Sequence, residues 1–362
     1  MTIQQNVGNA ALAFAIDGEF TGAAPYGSGH INDSYRATFG AGGGEMRYIL
    51  QRINHHVFKN PVILMDNIAR VTQHLAAQVS DRPDRERSVL TLIPTRQGGV
   101  LHVDADNNYW RAYHFIDNAT TYDAVESPQQ AFEAAKAFGE FQCMLADLPA
   151  PRLHDTIPDF HHTPKRFAAL EQAIASDAAG RAHLAQPEIE FALARKPLAH
   201  VLLEAGLPER VTHNDTKINN VMLDDKTGKG TCVIDLDTVM PGLASYDFGD
   251  MVRTATCPAP EDERDLSKVH MQFNLFEALA RGYMTSAGGF LTREERESLA
   301  VAGKLITFEI GIRFLTDHLC GDTYFKIHRQ GHNLERCRSQ FKLLQSLEHQ
   351  EPQIRSLLKS IG

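Results

Sequence analysis

The sequence of 362 residues predicts an α+β fold, with a small antiparallel sheet followed by a larger helical region. Polar and apolar residues alternate in several short segments of the first third, which is the period of a strand with one buried face. From about residue 127 onward, apolar residues recur at helical spacing instead. The chain is long enough for two regions with separate cores. We expect the first region to span 1–116 and the second 117–362.

The first region is expected to contain strands and one helix. A glycine turn, Gly27-Ser28-Gly29, leads into an alternating segment that ends at Phe39, and Gly42-Gly43-Gly44 marks the next turn. Pro61 stands at the start of an apolar pattern with helical period, which is a helix-start signal. The remaining elements that the pattern predicts are strands over 47–53, 89–93 and 109–116 and a helix over 61–78.

The second region is expected to be mostly helical. A helix is predicted over 128–148, and a hairpin near 222–233 interrupts the helical pattern. Thr292 and Glu295 have the spacing of a capping box, in which each side chain accepts a hydrogen bond from the other residue's backbone N–H. They predict a helix that starts there and continues through Arg313.

Bulk composition excludes several classes of function. The hydrophobic share of 43% and the charged share of 22% are ordinary for a globular protein, and the formal net charge of -9 argues against a nucleic-acid partner. No apolar run approaches the roughly 20 residues that a membrane-spanning helix needs. The five cysteines are scattered without a C-x-x-C pair, and the first residues lack the pattern of a signal peptide. We therefore expect a cytoplasmic enzyme without a membrane partner.

The most informative segment is His213-Asn214-Asp215, with Asn220 five residues later. It has the H-x-D-x-x-x-x-N spacing of kinase catalytic loops, where the aspartate accepts a proton from the attacking hydroxyl and the asparagine binds Mg²⁺. One hairpin later an apolar strand ends in Asp235, a second candidate Mg²⁺ ligand. The alternative is a polar turn whose Asn and Asp side chains only cap neighbouring elements. We predict Asp215 as the catalytic base and Asn220 and Asp235 as the metal ligands.

Three further aspartates follow the predicted metal strand. Asp237 lies two residues after Asp235, so on a strand both carboxylates point to the same side; Asp237 is either a further metal group or a turn residue. Asp247 begins the letters D-F-G-D, but it stands too far past the strand to be the metal-binding aspartate of a kinase. We interpret Asp247 and Asp250 as structural residues in a helix that supports the catalytic loop.

Nucleotide contacts are expected in the first region. Glycine backbones in the turn Gly27-Ser28-Gly29 can approach phosphates closely, although an ordinary hairpin turn has the same letters. The strand around Tyr113 joins the two regions, so its backbone is a candidate for hydrogen bonding to the adenine edge. ATP and Mg²⁺ are the expected cofactors, and the expected partners are a nucleotide and a small-molecule acceptor.

These motifs together resemble the aminoglycoside-phosphotransferase-like kinases, and among them the N-acetylhexosamine 1-kinases. The resemblance covers nearly the whole chain and rests on segments 25–32, 48–51, 186–189, 211–217, 234–238, 265–270 and 313–315. It implies a two-lobed protein-kinase-like fold, with a nucleotide-binding lobe over 1–116 and a catalytic, sugar-binding lobe over 117–362. It also implies Mg²⁺-dependent transfer of the γ-phosphate of ATP to the C1 hydroxyl of N-acetylglucosamine or N-acetylgalactosamine.

The resemblance implies that His30, Arg313 and Tyr324 touch the sugar. Independently of it, Arg313 lies in a stripe with Glu309 and Asp317, one residue in every four, which is the spacing of a salt-bridged helix face. Such a stripe beside a cleft is also a way to present Arg313 to a substrate.

The chain departs from the expected pattern in two places. Many kinases have a phosphate-pairing lysine at the position of Gln51, but the resemblance implies that the hexosamine kinases have glutamine there too. Phosphate charge must then be offset by Mg²⁺ or by another cation such as Arg52. Ala23 and Thr254 occupy sugar-side positions where larger apolar residues are expected. A roomier or more polar pocket at those positions would change the preference among sugars.

Three other functions stay open at this stage. The first is a kinase of another small alcohol, amino sugar or antibiotic. The second is a nucleotide-binding pseudokinase, which the missing lysine suggests. The intact set Asp215, Asn220 and Asp235 argues against the second of these. A metallohydrolase built on His213 and the nearby aspartates is the least favoured, because the sequence shows no further cluster to complete a two-metal site.

Overall fold

The computed structural model describes residues 3–27, 29, 31–42 and 44–362. Within these residues the strands are β1 (Glu19–Pro25), β2 (Asp33–Ala41), β3 (Gly44–Ile53), β4 (His102–Val103), β5 (Tyr109–His114), β6 (Ala119–Thr120), β7 (Arg210–Thr212), β8 (Val221–Asp224), β9 (Gly230–Val233) and β10 (Met240–Gly242). The α-helices are α1 (Ile3–Leu12), α2 (Pro61–Gln78), α3 (Arg85–Ser88), α4 (Pro128–Met144), α5 (Thr163–Ser176), α6 (Gln186–Leu193), α7 (Val201–Glu204), α8 (Ala244–Ala255), α9 (Phe273–Ala287), α10 (Arg293–Leu319), α11 (His332–His349) and α12 (Glu351–Ile361).

The chain divides into two compact units, and each is made of more than one segment. The first unit comprises Met1–Ala119, Asp147–Ile157 and Thr231–Met240. The second comprises Thr120–Ala146, Pro158–Gly230 and Pro241–Gly362. The sequence-based boundary after residue 116, with nucleotide binding before it and sugar binding after it, stays a prediction.

The first unit is built on an antiparallel sheet with strand order β1-β2-β3-β5-β4. Alternate residues of the strands face a core that includes Phe39, Leu50 and Trp110, each nearly inaccessible to solvent. Helix α1 adds Val7 and Ala11 to the same core. The opposite set of side chains, which includes Gln51 and Arg111, is therefore separated from this core.

The long helix α10 is the centre of the second unit. Its buried residues Phe308, Ile312 and Leu315 pack in one cluster with residues of α5, α6 and α11. Helices α4 and α9 lie close together, since a Cβ on Gly282 would stand 2.1 Å from the backbone oxygen of Phe132. Only glycine permits that approach. Tyr246 of α8 packs with Leu305 and Ile306 of α10 in a further apolar cluster. The two helices also carry several charged residues of the candidate site.

The fold class predicted from the sequence is confirmed: a small antiparallel sheet in the N-terminal part and a mostly helical C-terminal part. The helix over 61–78 is confirmed to the residue, and it is capped by the side chain of Asn60 at the backbone N–H of Ile63. The capping box of Thr292 and Glu295 is also present, at the start of α10. Among the helices of the described residues, none is both long enough and apolar enough to cross a membrane.

Three predictions about local structure were wrong or incomplete. The segment 89–93 is not a strand; only Leu92 forms an isolated bridge, to Tyr113. Alternation in so short a segment does not distinguish an extended loop from a strand. Strand β1 and helix α1 were not predicted. Helix α4 ends at Met144, four residues before the expected end.

Candidate active site

The predicted catalytic-loop segment follows β7, and helix α8 supports it through the side chain of Asp247. The carboxylate of Asp247 accepts hydrogen bonds from the backbone N–H of His213 at 2.9 Å and of Asn214 at 2.7 Å. Asn214 has a left-handed backbone with φ of 64°, an unusual conformation for a non-glycine residue. The two bonds to Asp247 hold the turn that carries Asp215 in this conformation.

Asp247 is a buried structural carboxylate, as the sequence predicted. In addition to the loop N–H groups it accepts a hydrogen bond from Nε2 of Gln142 at 2.6 Å, and the hydroxyl of Tyr283 donates to Gln142. Burial raises the pKa of Asp247, while His213 and the two backbone N–H donors act in the opposite direction. Helix α8 starts at Ala244, so Asp247 belongs to its first turn.

Asp215 and Asn220 lie together, as the spacing predicted. Nδ2 of Asn220 donates to the backbone oxygen of Asp215 at 2.7 Å and to its Oδ2 at 3.2 Å. Both contacts use the nitrogen end of the amide, so the side-chain oxygen of Asn220 is the end that remains for a cation. The structure thus orients an amide oxygen beside the predicted base.

Basic groups stabilise the ionised form of Asp215. Its Oδ2 lies 3.0 Å from Nζ of Lys217. Burial alone would raise the pKa of Asp215, but Lys217, His213 and Arg253 outweigh burial and hold this pKa below its ordinary value. The carboxylate is therefore ionised at neutral pH and can accept a proton.

Arg253 on α8 was not singled out in the sequence. Its guanidinium is bound by Asp250 and by Glu261, each at 2.9 Å. Burial acts to lower the pKa of Arg253, but Asp250, Glu261 and Asp215 outweigh burial and raise it, which keeps the group charged. Oδ2 of Asp250 is a buried atom without a hydrogen-bond partner among the described residues. Arg253 thus contributes positive charge near Asp215.

A buried pair, His161 and Glu309, connects the catalytic loop to helix α10. Nδ1 of His161 lies 2.8 Å from Oε1 of Glu309, and its Nε2 lies 3.1 Å from the backbone oxygen of Asn214. The hydroxyl of Thr163 donates to the other oxygen of Glu309 at 2.6 Å. Burial would lower the pKa of His161, but Glu309 and the Asn214 carbonyl outweigh it and raise that pKa, which favours the ionic form of the pair.

Arg313 and Tyr324, two of the predicted sugar-binding residues, are brought together in the second unit. They line a cavity of about 200 Å³ with Arg166, Asp317 and other residues of α5 and α10. The guanidinium of Arg313 lies 5.9 Å from the ring centre of Tyr324 and 5.5 Å from that of Phe325. The salt-bridged stripe expected on α10 is absent among the described contacts: Glu309 binds His161, and Asp317 accepts backbone N–H bonds from 323–325.

Asp235 lies in the first unit, at the end of the hairpin strand as predicted. Its backbone is left-handed, with φ of 58°, and a short 3₁₀ turn over Leu236–Thr238 follows it. Asp237 in this turn is buried. Oδ2 of Asp237 accepts a hydrogen bond from Asn32 at 2.6 Å, and Oδ1 binds the guanidinium of Arg111. Since both oxygens have donors, the structure makes Asp237 a structural residue of this turn.

The cation that contacts Gln51 is Arg111, whereas the sequence suggested Arg52 as a cation that offsets phosphate charge. Nε of Arg111 donates to the side-chain oxygen of Gln51 at 2.9 Å. Arg52 is paired at 2.8 Å with Asp33, the residue opposite it on β2, and both side chains are about half exposed. Neighbouring residues of a strand point to opposite faces, so Arg52 and Gln51 cannot serve the same site. The suggestion of Arg52 is therefore wrong.

Of the glycine turn, the structure describes Gly27 and Gly29, whereas Ser28 lies outside the described residues, and so does His30. Gly27 has φ of 84°, and nothing lies within 4 Å of a Cβ built on either glycine. The turn between β1 and β2 thus exposes its backbone at these two positions. That is compatible with the predicted phosphate contact, which stays a prediction.

Three other predicted contacts have defined places. Tyr113 lies in the interior strand β5 opposite Ile49, with its ring buried, so its peptide is part of the sheet. Ala23 on β1 pairs with Ala37 and packs against the sheet core. The hydroxyl of Thr254 on α8 donates to the backbone oxygen of Asp250 at 2.8 Å. Nothing in these contacts tests their predicted roles.

The predicted metal ligands, one in each unit, are of the oxygen type that Mg²⁺ prefers. Among the described residues, no group of three or more His, Cys, Asp or Glu side chains could hold a metal ion. Mg²⁺ does not need such a cage, because it binds one or two protein oxygens and completes its shell with water and phosphate oxygens. The amide oxygen of Asn220 and the carboxylate of Asp235 are ligands of that type.

The comparisons with known proteins agree with this chemistry. A sequence model described as the phosphotransferase enzyme family (APH) matches residues 22–283, which is more than half of the chain. A microcompartment-associated aminopropanol kinase has a similar structure, with 16% identity, a TM-score of 0.59, and coverage of 97% of this chain and 98% of that chain.

Two further solved structures are similar in fold. A spectinomycin phosphotransferase in complex with ADP and spectinomycin has 12% identity, a TM-score of 0.56, and coverage of 98% of this chain and 99% of that one. A choline/ethanolamine kinase family protein from Mesorhizobium loti has 18% identity, a TM-score of 0.51, and coverage of 96% and 98%. At these identities the likeness shows the fold alone. Because the family model matches residues 22–283, the chain belongs to the phosphotransferase enzyme family.

Proposed function

We propose that this chain is a kinase that transfers the γ-phosphate of ATP, with Mg²⁺, to the C1 hydroxyl of an N-acetylhexosamine. The observation that carries the proposal is the ionised Asp215 with the amide of Asn220 oriented beside it. A carboxylate in this state can orient a hydroxyl and accept its proton as the bond to phosphorus forms. The resemblance to the N-acetylhexosamine 1-kinases supplies the class of acceptor.

Asp215 is suited to an anomeric hydroxyl. A hemiacetal hydroxyl is more acidic than an ordinary alcohol, so one positioned carboxylate is sufficient. The pKa of Asp215 is held down, mainly by Lys217 against the effect of burial, and this makes the group a weak base. A weak base remains ionised over a wide pH range, which favours an acidic acceptor over a simple alcohol.

Asn220 and Asp235 are the proposed ligands of Mg²⁺. When bound, the ion would offset the charge of the phosphate oxygens during transfer. Asn220 is held by its contacts to Asp215, and the turn after Asp235 is held by contacts within the first unit. Gly27, Ser28 and Gly29 are the proposed phosphate-side contacts, and Gly27 and Gly29 are exposed.

Gln51 and Tyr113 remain proposed nucleotide contacts of the first unit. Gln51 is the more direct candidate, although its side chain already binds Ser34 and Arg111. The spectinomycin phosphotransferase was solved with ADP, and a nucleotide of this kind is proposed here by family membership. The five cysteines are free thiols, which supports the proposal of a cytoplasmic location.

Arg313 and Tyr324 are the proposed acceptor contacts, and the charge around them favours a neutral sugar. Arg166 and Arg313 line the same cavity, and burial together with the charge of Arg313 lowers the pKa of Arg166. Two guanidinium groups, whose charge Asp317 in the same lining offsets only in part, repel a cationic acceptor such as an amino alcohol or an aminoglycoside. His30, Thr254 and Ala23 complete the proposed acceptor set.

A panel of acceptors tests this proposal. We expect ATP consumption with N-acetylglucosamine and N-acetylgalactosamine, and little with choline, aminopropanol or spectinomycin. Arg313→Ala should raise the KM for the sugar by about tenfold or more, since hydrogen bonds to charged groups contribute roughly 1.5–3 kcal/mol. Lys165→Ala, which removes an exposed cation from α5, is the matched control. Turnover with the cationic acceptors alone would refute the sugar assignment.

A further inference from the structure

The buried cation of the first unit stands on a different strand from the one that kinases commonly use. In the register of β3 and β5, Gln51 lies directly opposite Arg111. Side chains of directly opposite residues share one face of an antiparallel sheet and lie about 5 Å apart at Cβ. The positive charge that is missing at Gln51 is therefore present across the strand pair, at Arg111.

Two of the three guanidinium nitrogens of Arg111 bind protein groups. Its Nε donates to Gln51 and its Nη1 binds Asp237, and the side chain is 1% exposed. Burial would lower the pKa of Arg111, but Asp237 and, at longer range, Asp235 outweigh it, so the group stays charged. A guanidinium in this position acts on its surroundings through its protein partners.

Three residues besides Arg111 hold the turn that follows Asp235. Asn32 donates to Asp237 and also accepts from the backbone N–H of Asn54 at 2.9 Å, which ties the turn to the end of β3. The hydroxyl of Thr156 donates to the backbone oxygen of Asp237 at 3.0 Å. Helix α2 adds a third anchor, since Nδ2 of Asn67 donates to the backbone oxygen of Val239 at 3.1 Å.

We infer that Arg111 is a positioning residue which, through Asp237, sets the turn that presents Asp235 to Mg²⁺. This inference rests on the proposed kinase function. Arg111 takes over the structural part of the missing lysine's role, that of a buried cation in an ion pair. It does not contact phosphate, because two nitrogens of its fork are bound to Gln51 and Asp237 and almost none of its surface is exposed.

Binding of ADP, measured by calorimetry across a Mg²⁺ titration and again in EDTA, tests the inference without turnover. Arg111→Lys keeps the charge but loses the two-pronged geometry, and Asp237→Asn keeps the size but loses the charge. In both variants we expect half-maximal ADP binding to need about 10–100 times more Mg²⁺, the usual effect of losing a group that orients a metal ligand. ADP affinity in EDTA should equal that of the parent protein.

Arg52→Gln is the matched control, because it removes a cation from the neighbouring position of β3 whose partner, Asp33, is exposed. It should change neither titration. If a single variant fails to fold, as judged by its thermal transition, Arg111→Met with Asp237→Leu replaces the ion pair by apolar groups and is measured instead. That double variant also loses the Asn32 anchor, so the same rise in Mg²⁺ requirement is expected.

Two results would overturn this inference and leave the proposed kinase function intact. One is an unchanged Mg²⁺ requirement in the folded variants. The other is an equal loss of ADP affinity with Mg²⁺ and in EDTA, which would mean that Arg111 acts on the phosphates themselves. If the parent protein binds no ADP at any Mg²⁺ concentration, the proposed kinase function fails, and the inference fails with it.

Discussion

The two units solve the same electrostatic problem, an ionised carboxylate in a candidate site, in different ways. In the second unit Asp215 is paired with Lys217, and the side chains are 26% and 41% exposed. In the first unit Asp237 is paired with Arg111, and the side chains are 3% and 1% exposed. The first arrangement leaves the carboxylate accessible to a substrate, whereas the second withdraws it from solvent.

This difference separates a group that can react from a group that fixes geometry. A partly exposed pair contributes little to stability, because water competes for both charges. A buried pair is costly to break, since the remaining charge would have no counter-charge. The contrast predicts large effects on activity and small ones on stability at Asp215, and the reverse order at Arg111 and Asp237.

The largest effect is expected at Asp215. Asp215→Asn removes the proton acceptor and should lower kcat by about 10²–10⁴-fold, the usual contribution of general base catalysis. The melting temperature should change little, because the side chain is partly exposed. Asp225→Asn, at the exposed hairpin turn of the same unit, is the control and should retain activity. Retention of activity by Asp215→Asn would remove Asp215 from the catalytic role.

The next effect in size is on the stability of the first unit. Arg111→Met leaves Asp237 buried without its counter-charge and should lower the free energy of unfolding by about 3–5 kcal/mol. The double variant Arg111→Met with Asp237→Leu should recover most of that loss, because no charge is left buried. Denaturant unfolding of both variants measures the difference. Equal destabilisation by the two would show that the pair contributes through packing and not through charge.

The buried pair His161 and Glu309 makes the stability of the second unit depend on pH. The pKa of His161 is raised, so its stabilising effect is complete below the ordinary histidine value of about 6.5 and is lost as the pH rises through the raised pKa. The pKa of Glu309 is lowered, so its contribution is lost only as the pH falls below about 4.5. The free energy of unfolding should therefore fall above pH 6.5, by at most about 1.4 kcal/mol per pH unit.

Glu309→Gln is the variant that isolates this effect. It removes the main group that raises the pKa of His161, so the decline above pH 6.5 should be weaker than in the parent protein. Unfolding at a series of pH values, with Glu294→Gln on the exposed first turn of α10 as control, measures it. An identical pH dependence in Glu309→Gln and the parent would mean that the pair is not ionic.

The smallest expected effect on stability is at Lys217. Lys217→Gln should change the free energy of unfolding by no more than about 0.5 kcal/mol, as expected for an exposed charge. It should nevertheless raise the pKa of Asp215, because Lys217 is the leading group that opposes the effect of burial. The acid limb of the kcat/KM profile should therefore move to higher pH. An unmoved limb would show that another group controls it.

The parts of the molecule that are local in sequence were predictable, and the parts that depend on distant partners were not. The helix over 61–78 was readable because Asn60 and Pro61 mark its start within one turn. The catalytic loop was readable because Asp215 and Asn220 lie five residues apart. By contrast, the partner of Asp237 is 126 residues away, at Arg111, and the partner of Glu309 is 148 residues away, at His161.

One signal for Arg111 was present in the sequence. It lies in the short strand Tyr109–His114 between Trp110 and Ala112, so that a charged residue interrupts a run of apolar ones. A charge in such a segment predicts a buried partner, but only the strand register shows that Gln51 is opposite and that Asp237 is within reach. No local signal identified His161 or Arg253, whose roles depend on how helices α8 and α10 pack.

The position of the phosphate on the product tests the central claim most directly. The protein is incubated with ATP, Mg²⁺ and N-acetylglucosamine carrying carbon-13 at C1, and the product is examined by phosphorus NMR. We expect a phosphorus signal split by coupling to the labelled C1, absent in the Asp215→Asn variant. A phosphorylated product without that coupling, or formed equally well by Asp215→Asn, would contradict the assignment of this chain as an anomeric kinase with Asp215 as its base.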